Sequence, residues 1–147
     1  MQPGTRPTAA SRLHFSPPRG WSSKSFFGGL GSDPHGLQVL VAANVSLPPS
    51  IAECETVIPR LSRDQALVRI YDYGQSPLAP RAHRVAVIKP GAVSPVQQAN
   101  GRVGGFNEAR VSYDGHTLLI DTSYGSTHPP AAVRAEVAAL LRGVGTG

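Results

Sequence analysis

His116 stands at the one place in the sequence where a histidine and carboxylates cluster, two residues after Asp114 and five before Asp121. A histidine oriented by a carboxylate can act as a general base, so this group is a candidate active site. Asp114 belongs to a turn, however, and the odd separation puts Asp121 on the opposite face of a strand from His116. We therefore expect His116 to face solvent, and the sequence predicts no catalytic residue.

Two short motifs match known catalytic or phosphate-binding signatures only in part. Residues 121–125, Asp-Thr-Ser-Tyr-Gly, end in Ser-x-Gly but lack the first glycine of the G-x-S-x-G turn that exposes a serine nucleophile. Residues 27–31, Phe-Gly-Gly-Leu-Gly, are rich in glycine, yet the chain contains no GK[ST]. We predict neither a serine nucleophile nor a phosphate loop, and we expect residues 26–31 to form a loop.

Metal and disulfide chemistry are also disfavoured by the sequence. The chain has one cysteine, Cys54, so it can form neither an internal disulfide nor a zinc site built from cysteines. His35, His83 and His128 lie far apart, without the spacing typical of metal ligands. We therefore predict no metal and no cofactor.

Two tyrosines are candidates for binding a ligand. Tyr71 and Tyr73 flank Asp72 near the end of an apolar stretch. They could form a polar aromatic contact surface, or they could pack against a sheet with their hydroxyls at its rim. The sequence favours neither interpretation over the other.

Two segments rich in turn-forming residues, 74–84 and 91–105, predict long loops. Binding residues lie disproportionately often on loops that a rigid scaffold holds in place. His83 lies in the first loop and Asn100 in the second. We predict a ligand-binding set from these loops and the two tyrosines: Tyr71, Tyr73, His83 and Asn100.

The net charge of +5 is unevenly distributed. Residues 1–32 contain four basic and no acidic side chains, whereas residues 33–147 contain ten basic and nine acidic ones. Nucleic-acid binding needs a basic surface on a folded face, and four cations in a proline-rich segment do not provide one. The charge pattern therefore disfavours nucleic acid and leaves an unidentified protein or small ligand as the partner.

Apolar patterning predicts most of the strands. The strand at 66–72 has two faces, with Ala66, Val68 and Ile70 on one and Leu67, Arg69 and Tyr71 on the other. Asp114-Gly115 is a residue pair typical of a tight hairpin turn between two strands. The predicted strands cover residues 37–45, 66–72, 85–88, 109–113 and 116–124.

Two helices are predicted. Ser50 and Glu53 form a capping box before a short helix over residues 51–58. A second helix runs to about Arg142, with Pro129 and Pro130 in its first turn, Ser126 or Thr127 as N-cap and Gly143 as C-cap. Its apolar stripe comprises Val133, Val137, Leu140, Leu141 and Val144.

These elements predict an α+β fold: an antiparallel sheet of about five to six strands, with a short helix and one long C-terminal helix packed on one face. Residues 1–18 are expected to form a flexible, basic, proline-rich tail, and residues 19–147 a single domain. The longest apolar run, residues 39–43, is far shorter than the roughly 18–20 residues of a membrane helix. Without a signal peptide, the chain as it stands is predicted to be cytoplasmic.

Five short motifs follow one another along the chain: Gly20-Trp21, residues 39–48, residues 68–74, Tyr124-Gly125 and residues 139–144. Their order resembles a small domain of actinobacterial proteins to which no activity is assigned. The resemblance covers about residues 18–145 and carries no catalytic residues. In that family the domain commonly follows a single membrane helix and faces the cell exterior, so the resemblance implies an extracytoplasmic location if a membrane helix lies upstream of Met1.

Two functions are compatible with the sequence. The first is a non-catalytic interaction or sensing domain that presents the loops at 74–84 and 91–105 to a protein or small ligand. The alternative is a small hydrolase-like or isomerase-like enzyme that uses His116 with Asp114 or Asp121. A pocket containing His116 would favour the enzyme.

Overall fold

The structure of the chain is a computed structural model that describes residues 13–30, 33–47, 60–74, 79, 81–97 and 103–146. These residues form nine strands and one helix. In chain order the elements are β1 (Leu13–His14), β2 (Ser22–Leu30), β3 (Asp33–Ala43), β4 (Ala66–Asp72), β5 (His83–Arg84), β6 (Ser94–Gln97), β7 (Val103–Tyr113), β8 (His116–Tyr124), α1 (Ala131–Arg142) and β9 (Gly145–Thr146).

A seven-stranded sheet organises the molecule. Six of its strands follow the order β2-β3-β4-β8-β7-β5, and β6 also pairs with β7. All pairings are antiparallel except that of β5 with β7, which is parallel. Strands β1 and β9 form a separate two-stranded ladder.

The predicted fold class is wrong. The protein is mostly β, with a seven-stranded mixed sheet and a single helix among the described residues, and is not an α+β domain with two helices on an antiparallel sheet. The short helix expected at 51–58 lies outside the described residues. The additional strands of this sheet were not predicted, because they are polar or rich in glycine. They lie at its edges, where burial imposes little alternation of apolar and polar residues.

The two faces predicted for β4 are confirmed. Ala66, Val68 and Ile70 belong to the main core, which also contains the buried residues of α1. Leu67 belongs to a smaller cluster, against which Tyr71 packs. We call the face that bears α1 the helix side of the sheet and the opposite face the second side.

The predicted hairpin is also confirmed. Strands β7 and β8 pair from Gly105–Tyr124 to Tyr113–His116, and Asp114-Gly115 forms the turn between them. Both turn residues have positive φ, 49° at Asp114 and 82° at Gly115. Two consecutive positive φ values are the signature of the turn that matches strand twist.

The C-terminal helix forms as predicted, except at its start. It ends at Arg142 with Gly143 as its C-cap, and the residues of the predicted stripe are buried. The N-cap is Pro130, and the helix start has no side-chain cap, so the prediction of Ser126 or Thr127 is wrong. The Ser126 hydroxyl instead accepts a hydrogen bond from the His128 amide within the preceding turn.

Three local predictions fail along the edges of the sheet. Residues 26–30, expected in a loop, belong to β2. No strand forms at 85–88, because the buried Ile88 and the half-buried Val85 contact the core from an irregular linker. The loop predicted at 91–105 contains β6 and the start of β7, and all four residues of β6 are exposed.

Leu13 and His14, which were predicted to lie in the flexible tail, form β1. The Leu13 side chain is 2% exposed and belongs to the main core. The buried Gln38 side chain binds both backbone groups of Leu13: its amide nitrogen donates to the carbonyl, and its oxygen accepts from the amide. β1 is thus fixed to β3 as well as to β9. Among the described residues, no helix is long and apolar enough to cross a membrane.

Candidate functional site

His116 and Asp72 form a buried pair on the helix side of the sheet. They lie at neighbouring ends of β8 and β4, and His116 Nδ1 is 2.9 Å from Asp72 Oδ2 and 3.0 Å from Oδ1. Asp72 Oδ1 also accepts a hydrogen bond from the Gly74 amide at 2.8 Å. This contact between an aspartate and the amide two residues later is typical of a turn, and it fixes the carboxylate where β4 ends.

The pair favours a protonated imidazole. The hydrogen bond to Asp72 raises the pKa of His116, burial opposes this effect, and the negative charges of Asp72 and Asp114 add to it. Because both side chains are less than one-tenth exposed, solvent screens their interaction weakly. The arrangement therefore stabilises the connection between two strands of the sheet.

The expectation that His116 faces solvent is wrong, since the residue is 7% exposed. Its side-chain hydrogen-bond partner is Asp72, whereas the sequence pointed to Asp114 or Asp121. The inference that Asp121 occupies the opposite face is confirmed by its register position opposite Arg69, on the second side. The His116 pair is therefore built differently from the predicted candidate active site.

A cleft with a volume of about 900 Å³ opens at the β7 edge of the sheet. One wall is the middle of β7, and the other is the chain from Arg81 through the linker between β5 and β6. His116 and Asp72 are not among the lining residues. The lining comprises Arg81, Ala82, His83, Val85, Val87, Ile88, Lys89, Gly91, Asn107, Glu108, Ala109, Arg110 and Val111.

The cleft exists because the outer edge of β7 has two separate neighbours. Near its start, residues 103–106 pair with β6, and near its end Val111 and Ser112 pair with β5. Residues 107–110 lie between these pairings and face the cleft. At a rise of about 3.4 Å per residue, the interval from Phe106 to Val111 spans roughly 17 Å.

The linker that forms the outer wall is anchored on the helix side. Ile88 is 3% exposed within the main core, and Val93 packs against it. The Asn107 side-chain amide donates a 2.9 Å hydrogen bond to the Ala92 carbonyl. A Cβ at position 91 would lie 2.5 Å from that amide nitrogen, so a side chain there would displace the Asn107 amide.

Basic side chains predominate along the cleft. Arg81, Lys89 and Arg110 contribute three positive charges, and Glu108 contributes one negative charge. Glu108 and Arg110 form an ion pair at 3.3 Å, with about half of each side chain still exposed. These four side chains give the lining a formal net charge of +2.

The three predicted binding residues that the structure describes, Tyr71, Tyr73 and His83, do not lie together. Tyr71 and Tyr73 are half-buried and pack on the second-side cluster. His83 is exposed on β5 and lines the cleft. Asn100 lies outside the described residues. Strands β8 and β7 separate β4 from β5, so His83 is on a different part of the sheet from the tyrosines.

The second side holds a buried arginine opposite a partly buried aspartate. Arg69 is 5% exposed, and its Nε and Nη1 atoms have no hydrogen-bond partner among the described residues. Asp121 is its register partner on β8, and its Oδ1 atom also lacks a partner there. Burial raises the pKa of Asp121, Glu108 raises it further, and Arg69 lowers it. The effect of burial and Glu108 on the pKa of Asp121 is therefore larger than the opposing effect of Arg69.

Metal binding has no structural support in the described part of the chain. No group of three or more histidine, cysteine, aspartate or glutamate side chains there could hold an ion.

Comparison with known proteins adds no constraint: no protein family, no curated protein and no solved structure matches the chain. The resemblance to the actinobacterial domain stays a prediction.

Asp72 and most of the residues that line the cleft were not predicted from the sequence. The signal for Asp72 was present, because it shares the parity of Val68 and Ile70 on β4 and so belongs on the helix side. Lys89 and Arg110 carried no such signal. Both line the cleft because β5 pairs in parallel with β7, and no local sequence pattern predicts this pairing.

Proposed function

We propose that the protein is a non-catalytic interaction module that binds carboxylate-bearing ligands in the cleft beside β7. The observation that carries this proposal is the combination of a preformed cleft with a net positive lining. Concave sites that combine apolar walls with a few polar groups are where proteins usually hold ligands. The cleft includes part of the 74–84 segment, one of the two loops predicted to bind a ligand.

The lining of the cleft suits a peptide segment better than a compact anion. Apolar side chains alternate with the cations along its walls: Val85 and Val87 on one wall, and Ala109 and Val111 on the other. Val87 is 44% exposed, which leaves apolar surface for a partner to cover. A protein segment with both carboxylates and aliphatic side chains matches both features.

The enzymatic alternative receives less support from the geometry. His116 is paired with Asp72 inside the main core, and the cleft is lined by other residues. A general base must reach the proton that it removes, directly or through one water. The cleft is therefore the better candidate for the functional surface.

The resemblance to the actinobacterial domain bears on location alone. If it holds, binding takes place at the outer face of the membrane. The ligand chemistry that we propose does not depend on the compartment.

A charge-reversal experiment tests the proposed site. The probe is a fluorescent peptide, acetyl-Glu-Thr-Val-Glu-Val-Thr-Glu-amide, and its affinity is measured by anisotropy. Arg81→Glu with Lys89→Glu should weaken binding by about tenfold or more, because like charges then face the ligand. Arg134→Glu with Arg142→Glu makes the same change in net charge at exposed positions of α1, away from the cleft.

The control variant should bind the peptide within about twofold of the wild type at physiological salt, where charges beyond about 8 Å are screened. Equal losses in the two double variants would mean that only net charge matters and would contradict a site in the cleft. The absence of saturable binding to the wild-type protein would also contradict it.

A further inference from the structure

One histidine lies among the described residues that line the cleft. His83 belongs to β5, its side chain is exposed, and the sequence placed it in the predicted ligand-binding set. The register of β5 with β7 requires a hydrogen bond from the His83 amide to the Arg110 carbonyl, and the Val85 amide donates to the Ser112 carbonyl at 2.9 Å. The backbone of this segment is therefore fixed to β7, and His83 is held where the two walls of the cleft meet.

The imidazole of His83 is available to a ligand. Among the described residues it has no hydrogen-bond or ion-pair partner. His116 differs in this respect, because its Nδ1 lies 2.9 Å from a carboxylate oxygen of Asp72 inside the core. Of these two histidines, only His83 can bring its ring nitrogens to a molecule in the cleft.

The elements that form the cleft around His83 carry five charged side chains. They are Arg81 before β5, Arg84 on β5, Lys89 on the linker, and Glu108 and Arg110 on β7. Lysine, arginine and glutamate side chains ordinarily keep their charge between about pH 5.5 and 8, whereas an imidazole changes its charge within this range. Protonation of His83 thus raises the formal net charge of the lining from +2 to +3.

We propose that His83 contacts the carboxylates bound in the cleft and that its protonation strengthens their binding. This inference rests on the proposed function, to which it adds regulation by pH. A protonated imidazole donates from both ring nitrogens, and a hydrogen bond between two ionised groups is stronger than one with a neutral donor. Because a neighbouring carboxylate also favours the protonated ring, the proton and the ligand bind cooperatively.

The pH dependence of affinity tests this proposal. The probe is again the acetylated peptide, measured by anisotropy, and glutamate side chains ordinarily stay ionised down to about pH 5.5. We expect the wild type to bind it about tenfold more tightly at pH 5.5 than at pH 8, the difference between a charge-assisted and a neutral hydrogen bond. His83→Gln keeps a polar side chain that does not titrate, so its affinity should stay near the wild-type value for pH 8 throughout.

His128→Gln is the matched control. His128 is also exposed, but it precedes α1, contacts Thr127 and is not among the lining residues. This variant should keep the full pH dependence of the wild type. The comparison also separates His83 from His116, because any effect of His116 on binding would remain in His83→Gln.

NMR gives an independent readout of the same coupling. The Hε1 chemical shift of a histidine ring follows its protonation, and the coupling between two bound ligands is reciprocal. The midpoint of the His83 titration should therefore move to higher pH when the peptide is at saturation, whereas that of His128 should not move. An unchanged midpoint for His83 would overturn the proposal.

If His83→Gln retains the pH dependence of the wild type, or if the wild type shows none, His83 is not the pH-sensitive contact and the proposal is wrong. The proposed function still stands in either case, provided that Arg81→Glu with Lys89→Glu weakens binding. If that double variant binds the peptide as tightly as the wild type does, the proposed function fails as well.

Discussion

His116 Nδ1 and the carboxylate of Asp72 lie 2.9–3.0 Å apart, although the two residues are 44 positions apart in the sequence. The contact joins β8 to the end of β4 beneath the surface, where both side chains are nearly excluded from water. It is a structural ion pair whose strength depends on the protonation state of the imidazole.

Stability should depend on pH through His116. Because its folded-state pKa is raised above the ordinary value of 6.5, the stabilisation is complete below about pH 6.5 and is lost as pH rises through the folded-state pKa. The free energy of unfolding, measured with urea from pH 6 upward, should fall more steeply for the wild type than for His116→Gln.

At pH 6, His116→Gln should destabilise the protein by about 3 kcal/mol, the scale for breaking a buried pair. Asp72→Asn is the companion variant. An asparagine oxygen can still accept the hydrogen bond from the Gly74 amide, whereas the negative charge beside His116 is removed. Parallel pH profiles for the wild type and His116→Gln would show that the imidazole does not titrate as described.

Gly125→Ala should be strongly destabilising. A Cβ at this position would overlap the Ser62 carbonyl, and a backbone group cannot move aside as a flexible side chain can. We expect a loss of about 3 kcal/mol or more in the free energy of unfolding, at or beyond the upper end for overpacking. Gly143→Ala is the matched control, since its φ is −86° and its nearest Cβ neighbour lies at 3.4 Å. Equal stabilities for the two variants would contradict the close approach.

Leu140→Ala should cost about 2–5 kcal/mol, because Leu140 is fully buried where α1 meets the sheet. Thermal or urea unfolding measures the loss. Arg134→Ala, at an exposed position of the same helix, should change stability by no more than about 0.5 kcal/mol. A melting temperature that Leu140→Ala leaves unchanged would mean that α1 does not belong to the core.

Gln38→Leu tests how β1 is attached. The substitution removes the hydrogen bonds to the Leu13 amide and carbonyl and leaves both groups buried without that partner, at a cost of about 1–3 kcal/mol. If Gln38→Leu left the free energy of unfolding unchanged, the Gln38 hydrogen bonds would not hold β1 in place.

Deletion of residues 1–10 should leave the unfolding transition intact, because their polar, proline-rich composition cannot offset the entropy of ordering them. If the deletion abolished the unfolding transition, residues 1–10 would be needed for folding.

The sequence predicted those elements whose patterns arise from burial. β4 was predicted with its residue bounds and its two faces, and α1 with its apolar stripe, because one buried side imposes a period of two or 3.6 residues. The hairpin turn was predicted because few residue pairs accept two positive φ values. Local chemistry was sufficient in these cases.

The rest depends on contacts between distant residues. β6 is a four-residue strand with every residue exposed and a proline within it, so nothing in its own composition distinguishes it from a loop. The burial of His116 follows from the position of Asp72, and the charge of the cleft follows from the pairing of β5 with β7. Such features arise from topology, which short sequence windows do not contain.

The ladder of β1 with β9 has a mechanical consequence. Leu13 pairs with Thr146 and His14 with Gly145, so a pulling force applied outward at positions 13 and 146 acts on the same end of the ladder. Its hydrogen bonds would break one after another, as in unzipping, and would not share the load. Stretching a single molecule between handles at these two positions should therefore break the hydrogen bonds between β1 and β9 at low force, before the seven-stranded sheet unfolds; simultaneous rupture of both at one force would contradict this sequence of events.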